Sequence, residues 1–120
     1  MKEYTETLQM PAGKMDVFVV RPDGPGPFPV TVQLMDALGM REQLREQARR
    51  TAAAGYYVMA PNLFYHLGRS EPFDLSKPDA MTEIFEAMAQ VTPARATSDI
   101  ETCLKFAERD PAARKGPIGL

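Results

Sequence analysis

The 120-residue sequence contains one thiol and one imidazole, and both invite a catalytic interpretation. Cys103 could serve as a nucleophile and His66 as the base that activates it. Cys103, however, shares a predicted helix face with Ile100 and Leu104, and an apolar environment keeps a thiol protonated and inert. His66 follows a predicted strand, where ligands often bind in open α/β sheets. We therefore expect Cys103 to pack in the core and His66 to be a surface or substrate-loop residue.

Two further charged residues lie at positions where strands give way to loops. Asp36 follows a predicted strand and precedes a helix that we expect to start near Met40, so on its own it reads as a cap or first-turn carboxylate. A strand end is also a common position for a site residue. Arg69 shares a loop with Tyr65 and His66, and could bind a substrate carboxylate or form a solvated ion pair with Glu71.

The sequence offers no pattern for a metal or a nucleotide. Asp74 and Asp79 have no histidine or third carboxylate at ligand spacing, and one cysteine excludes both an internal disulfide and a multi-cysteine metal site. No glycine-rich phosphate-binding motif follows any predicted strand. We expect neither a metal nor another cofactor.

The first half of the chain predicts a hairpin followed by a βαβ unit. Residues 3–10 and 15–20 read as two strands around a turn at 11–13. A buried strand at 29–35, a helix at 41–54 stopped by Gly55, and a second buried strand at 56–61 follow. Short joints between these elements require a right-handed crossover and parallel pairing.

The second half predicts a loop, two helices and the start of a strand. Residues 62–77 are irregular, and residues 78–90 look helical with Met81, Ile84, Phe85 and Met88 at helical spacing. Thr92 is the expected N-cap of a helix that reaches Arg109. The buried face of that helix is predicted to comprise Ala96, Ile100, Cys103, Leu104 and Ala107. A last buried strand opens near Pro117.

Length and charge set limits on the class of protein. Residues 1–120 fit one domain, and a net charge of −2 with interspersed signs argues against nucleic acid or an anionic membrane as a partner. Residues 1–6 contain no apolar stretch, and no window approaches the ~20 apolar residues of a membrane span. We therefore expect a cytoplasmic protein.

Four short segments, in this order and spacing, carry a family resemblance. They are MDALGM at 35–40, AAAGYYV at 52–58, APNLFY at 60–65, and SDI at 98–100 followed by the strand at 116–120. The chain resembles the dienelactone hydrolase family over essentially its whole length. This implies an α/β class, the N-terminal half of an α/β-hydrolase fold with a β-hairpin and parallel βαβ units, cut at the start of the nucleophile strand.

The resemblance implies a hydrolase of small lactones or carboxylic esters that uses a Cys-Asp-His triad. All three members would follow Leu120, so the chain alone is expected to be inactive. The family's acidic residue that contacts the resting nucleophile corresponds to Asp36, which is one methylene shorter than the usual glutamate. The next N–H, that of Ala37, would contribute to the oxyanion hole, where one donor is worth ~3 kcal/mol. Tyr65, His66 and Arg69 would lie in the substrate loop.

A second interpretation is a non-catalytic binding or interaction module with a hydrolase-derived fold. Half of such a sheet would leave a parallel edge unpaired and helix faces uncovered. We therefore expect self-association through the exposed sheet edge.

Overall fold

The computed structural model of the chain describes residues 1–68 and 71–120, and a four-stranded mixed sheet lies at its centre. The strands are β1 (Lys2–Met10), β2 (Gly13–Arg21), β3 (Val30–Val32) and β4 (Tyr57–Pro61). Their spatial order is β1-β2-β4-β3, with β1–β2 and β2–β4 antiparallel and β3–β4 parallel. The predicted hairpin and parallel βαβ unit are both confirmed.

Three α-helices pack around the sheet: α1 (Glu42–Ala53), α2 (Ala80–Gln90) and α3 (Pro93–Glu108). Gly55 follows α1 with φ of 108°, a backbone conformation that glycine adopts without strain. Thr92 caps α3 as predicted, because its hydroxyl oxygen accepts the Arg95 N–H at 3.2 Å. No helix in the described parts of the chain is both long and apolar enough to cross a membrane.

Alternation along β2 builds a core on each face of the sheet. Val17 and Val19 point to one face, where Cys103 and Ala107 of α3 cover them. Phe18 and Val20 point to the other, beneath α1. Leu44, Ala48 and Ala52 are all buried there.

The predicted apolar face of α2 is wrong in three of its four positions. Met81, Phe85 and Met88 are 55, 62 and 45% exposed, and only Ile84 is buried. The buried residues of α2 are Ala80, Ile84 and Ala87. Helical spacing identified the amphipathic helix, but small alanine side chains allow the closer approach to Phe64 and Phe73. The larger apolar side chains therefore face outward.

The predicted buried face of α3 also needs a correction. Asp99, Cys103 and Ala107 form the buried line at four-residue spacing, whereas Ala96, Ile100 and Leu104 are only partly buried. Asp99, which carries a carboxylate, is only 2% exposed. The prediction placed only apolar residues on the buried face of α3. Because Asp99 is charged, it was left out, and the predicted face was therefore rotated relative to the observed one.

Two predicted strands are shorter than the sequence indicated. Regular pairing of β3 ends at Val32 rather than at residue 35. The last segment pairs with β3 only around Gly119, whose N–H donates to the Val30 carbonyl at 3.0 Å and whose carbonyl accepts from Val32 at 2.9 Å. This parallel contact places residues 116–120 beside β3. The predicted last strand therefore lies next to β3 in the order of the sheet.

Candidate functional site

The chain turns sharply where β3 ends, and Asp36 organises the turn. Its Oδ1 accepts the Leu38 N–H at 3.0 Å, and its backbone carbonyl accepts the Gly39 N–H at 3.2 Å. Gly39 has φ of 94°, and a Cβ there would lie 3.6 Å from the Phe64 ring. Glycine therefore suits this position on conformational grounds. The Leu38 carbonyl accepts the Phe73 N–H at 2.9 Å, which ties the turn to the following loop.

Arg41 donates hydrogen bonds to both oxygens of the Asp36 carboxylate. Its Nη1 and Nη2 donate to Oδ1 and Oδ2 at 2.6 and 2.7 Å, and Nη1 also donates to the Gly39 carbonyl at 3.1 Å. This two-pronged contact lowers the pKa of Asp36 below its ordinary value. The carboxylate therefore stays ionised near neutral pH and is poorly suited to act as a general base.

Asp36 does not cap α1, contrary to the simplest sequence interpretation. The helix begins at Glu42 rather than near Met40, and Arg41 occupies the N-cap position without a side-chain hydrogen bond. Asp36 lies six residues before Glu42 and caps its own turn instead. Ala37 likewise lies in this turn and not at a helix N-terminus. Any oxyanion stabilisation by Ala37 therefore comes from its own N–H rather than from the dipole of α1.

A small cavity of about 220 Å³, here called the β3-end cavity, opens beside this turn. Asp36 and Ala37 form part of its wall. Apolar side chains from three segments complete it: Met35, Leu63, Phe64, Met88 and Val91. Among the described residues, none accepts a hydrogen bond from the Ala37 N–H. The cavity therefore combines a mostly apolar wall with a residue, Ala37, whose N–H has no partner among the described residues.

Tyr65 and His66 lie away from that cavity. They belong to a short 3₁₀ turn (Tyr65–Leu67) and line a separate depression with Lys14 and Asp16. The Tyr65 hydroxyl donates to Asp99 Oδ1 at 2.9 Å, and its burial raises its pKa to about 12. Asp36 and Ala37, which are neighbours in the sequence, thus line one cavity, whereas Tyr65 and His66 line another.

A polar cluster joins this 3₁₀ turn to α3. Asp99 accepts from Tyr65 through one oxygen, while Oδ2 is buried and accepts no hydrogen bond from a described residue. Burial raises the pKa of Asp99, and it lowers the pKa of His66, which Arg95 lowers further. The His66 ring nitrogens are buried without a well-formed hydrogen bond, although the Leu63 backbone lies close enough to raise the imidazole pKa. His66 is therefore favoured in its neutral form.

The remaining candidates from the sequence are Cys103, Arg69 and a metal site. Cys103 is fully buried, and burial raises its pKa to about 12, so the prediction of core packing is confirmed. Arg69 lies outside the described residues. No group of three or more His, Cys, Asp or Glu side chains suited to a metal occurs within residues 1–68 and 71–120.

The sequence interpretation missed Arg41 and Asp99. Arg41 is five residues from Asp36, a separation that suggests no contact until the turn folds back. Asp99 had a readable signal, because it lies four residues before Cys103 on the same helix face. A carboxylate in line with buried residues indicates a buried polar contact.

Comparison with known proteins identifies relatives of greater length. The profile of the Dienelactone hydrolase family matches residues 15–120. A Methylorubrum extorquens protein described as "Putative carboxymethylenebutenolidase" is 26% identical over 114 residues, covering 94% of this chain and 38% of that protein. An Escherichia coli K12 protein with the same description is 29% identical over 97 residues, covering 80% and 34%. The chain thus spans little more than a third of these relatives.

Solved structures share the fold. A Klebsiella pneumoniae structure titled "Putative Dienelactone Hydrolase" aligns with a TM-score of 0.69 and 24% identity, covering 91% of this chain and 45% of that one. A structure titled "m3DLH" aligns with a TM-score of 0.71 and 20% identity, covering 97% and 47%. The fold is that of an α/β-hydrolase, of which this chain supplies a part. On the family profile, which spans most of the sequence, the chain belongs to the dienelactone hydrolase family.

Proposed function

We propose that residues 1–120 form part of a hydrolase acting on carboxylic esters or lactones, and that Ala37 contributes to its oxyanion hole. The observation that carries this proposal is the free N–H of Ala37 beside the β3-end cavity. Asp36 and Arg41 shape the turn that presents this residue. Descriptions of the relatives as carboxymethylenebutenolidases support the lactone or ester class.

In the proposed reaction a cysteine thiolate attacks the substrate carbonyl carbon, and the C=O π electrons move to the oxygen. The Ala37 N–H donates to that developing oxyanion, an interaction worth ~3 kcal/mol in comparable sites. The tetrahedral intermediate then expels the alcohol oxygen, which takes a proton from the histidine of the proposed triad. Water then gives a proton back to that histidine, attacks the acyl-enzyme carbonyl and releases the acid and the cysteine thiolate. The family resemblance assigns the Cys-Asp-His triad to positions after Leu120. The buried Cys103 is not the nucleophile in this scheme.

We propose that Tyr65 and His66 hold the loop after β4 against α3. The Tyr65–Asp99 hydrogen bond supports this assignment, because it occupies the hydroxyl that a substrate would contact. Arg69 has no part in the proposal. We also propose a cytoplasmic location for the protein.

The first test asks whether the gene encodes the proposed triad after the Leu120 codon. Nucleotide sequence after the Leu120 codon should encode a G-x-C-x-G turn, followed later by Asp and His. Residues 1–120 alone should not hydrolyse an activated ester, before or after thiol alkylation. Turnover by residues 1–120 that alkylation abolishes would contradict the proposal, because Cys103 would then be the nucleophile.

The second test removes the N–H of Ala37 in the longer protein. Ala37→Pro deletes the donor, whereas the matched Ala37→Gly variant retains it. We expect kcat to fall by about 100- to 1,000-fold in the first and by far less in the second. Circular dichroism of both variants checks that the fold persists. Equal kcat values for two folded variants would exclude Ala37 from the oxyanion hole.

An interaction module remains a second candidate, and one observation favours it. Met81 and Phe85 on α2 are largely exposed, as is Leu120 beside the sheet edge. Exposed apolar groups of this kind mark contact surfaces in many proteins. We propose that this chain alone self-associates through these surfaces.

A further inference from the structure

Arg41 joins the turn at the end of β3 to the first turn of α1. Its side chain donates to both oxygens of Asp36, at 2.6 and 2.7 Å, and to the Gly39 carbonyl at 3.1 Å. Its backbone carbonyl accepts the N–H groups of Leu44 and Arg45, at 3.0 and 3.2 Å, where α1 begins. A single residue therefore fixes the turn relative to a helix that packs on the sheet.

The turn presents Ala37 at the edge of the β3-end cavity. Ala37 and Leu38 are the two central residues of the turn, which closes where the Asp36 carbonyl accepts the Gly39 N–H at 3.2 Å. Asp36 Oδ1 also accepts the Leu38 N–H at 3.0 Å. The backbone and the side chain of Asp36 thus both hold the turn. The Ala37 N–H belongs to the peptide unit that follows Asp36, so the residue that Arg41 holds also sets the direction of this donor.

The contact between Arg41 and Asp36 differs from an ordinary surface ion pair. It is bidentate, and the Arg41 side chain is only 21% exposed. Arg45 on the same helix makes one contact with Glu42, at 3.4 Å, and its side chain is 36% exposed. Solvated single contacts contribute little to stability, whereas a guanidinium fork on a carboxylate adds energy and geometric specificity. We therefore expect Arg41, and not Arg45, to determine the geometry of the turn.

The same contact restricts what the Asp36 carboxylate can do. Its Oδ1 accepts two hydrogen bonds, from Arg41 and from Leu38, which occupy both lone pairs of that oxygen. Its Oδ2 accepts from the second terminal nitrogen of the guanidinium. The family resemblance assigns position 36 a contact with the resting nucleophile. In this chain, however, Arg41 and the turn itself already orient the carboxylate.

We propose that Arg41 is a positioning residue for the reaction: it holds Asp36, and Asp36 holds the turn that directs the Ala37 N–H toward the developing oxyanion. Asp36 acts through this geometry and not by contact with the nucleophile. The inference rests on the proposed function, because it takes the Ala37 N–H as a donor of the oxyanion hole. Such a donor has to be held within about 0.5 Å of its productive position by supporting contacts.

The first measurement follows backbone amide exchange in the 120-residue chain by NMR at constant pH. Arg41→Gln should raise the exchange rates of the Leu38 and Gly39 N–H groups by about tenfold, because both hydrogen bonds depend on the orientation of Asp36. Arg45→Gln is the matched control and should leave both rates unchanged. Equal rates in the unmodified chain and in Arg41→Gln would overturn the inference.

The second measurement is a double-mutant cycle in the longer protein that carries the proposed triad. Arg41→Gln should lower kcat by about 10- to 100-fold with KM nearly unchanged, since the oxyanion contact forms in the transition state. In the Ala37→Pro background no donor remains to be positioned, so the same substitution should lower kcat by no more than about twofold. Circular dichroism checks that all four proteins are folded. Equal losses in the two backgrounds would show that Arg41 acts independently of the Ala37 N–H, contrary to the proposal.

The third measurement separates positioning from a direct contact with the nucleophile. The alkylation rate of the triad cysteine is followed against pH in the longer protein and in its Asp36→Asn variant. A carboxylate in contact with the thiol would raise the midpoint of this titration, and its removal would lower it. We expect identical midpoints, and a lower midpoint in Asp36→Asn would refute the positioning role. Failure of the proposed function looks different: the longer protein would show no ester turnover, while amide exchange in the 120-residue Arg41→Gln chain would still be faster.

Discussion

At the scale of single residues, environment separates groups that look alike in the sequence. Asp36 and Asp99 are both aspartates beside predicted apolar segments, yet their pKa values move in opposite directions. A bidentate guanidinium lowers the pKa of Asp36, whereas burial raises that of Asp99. The sequence therefore identifies which groups can titrate, and the surroundings of each group determine the direction in which its pKa moves.

The Asp36–Arg41 pair predicts a specific pH response. Arg41→Gln should raise the Asp36 pKa toward its ordinary value of about 3.9, as followed by carboxyl ¹³C NMR. Because the folded pKa is lowered, the pair contributes stability above that ordinary value and loses it as pH falls through the folded pKa. The variant should show a flatter decline of stability with acid.

Arg45→Gln provides the control for that titration, because Arg45 pairs with Glu42 instead. It should leave the Asp36 titration unchanged. An identical Asp36 pKa in the unmodified chain and in Arg41→Gln would show that the guanidinium does not hold the carboxylate in solution.

Cys103 should be inert in the folded chain. A pKa of about 12 leaves roughly a thousandfold less thiolate at pH 8 than a free cysteine with a pKa of ~8.5, and the side chain is also shielded from reagents. Reaction with a chromogenic disulfide should be very slow in buffer and rapid in denaturing urea. If Cys103 in the folded chain reacted as fast as a small free thiol, the result would show that α3 opens readily.

At the scale of elements, polar contacts attach the loop after β4 to α3. The 3₁₀ turn Tyr65–Leu67 contributes a hydroxyl, and α3 contributes a carboxylate from its buried line at Asp99. The Thr92 cap of α3 was readable in the sequence. The partner of Asp99 was not, because it lies 34 residues away along the chain.

Removing the Tyr65 hydroxyl should weaken this attachment. Tyr65→Phe leaves both oxygens of the buried Asp99 without a donor, so we expect a loss of ~1–3 kcal/mol in the free energy of unfolding. Urea denaturation followed by circular dichroism measures the change. Tyr56→Phe is the matched control at a position 41% exposed, with an expected change below ~0.5 kcal/mol. Equal effects of the two substitutions would argue against the hydrogen bond.

At the scale of the whole molecule, the described chain leaves apolar surface on two sides. One is the outer face of α2 with Met81 and Phe85, and the other is the edge beside residues 116–120. The matched structures are more than twice as long as the segment that this chain covers. These surfaces are consistent with a fold of which the chain supplies one part.

Self-association should follow from these surfaces when the chain is studied alone. Sedimentation velocity should show a mean mass that rises with protein concentration, and Phe85→Glu should reduce that rise. Leu75→Glu is a suitable control, because Leu75 is also exposed at 59% but lies outside α2. A monomer at all concentrations would exclude the proposed interaction.

The sequence by itself determined the element order, the parallel β3–β4 pairing, the capping of α3 and the core position of Cys103. These follow from local periodicity, glycine and proline positions and short connections, all of which act between neighbouring residues. Only the tertiary structure decided that Met81 and Phe85 of α2 face outward. It also decided that Arg41 binds the Asp36 carboxylate and that Tyr65 donates a hydrogen bond to Asp99. Each of these depends on which surfaces approach in space, and chain periodicity carries no information about the partner that a face or side chain meets.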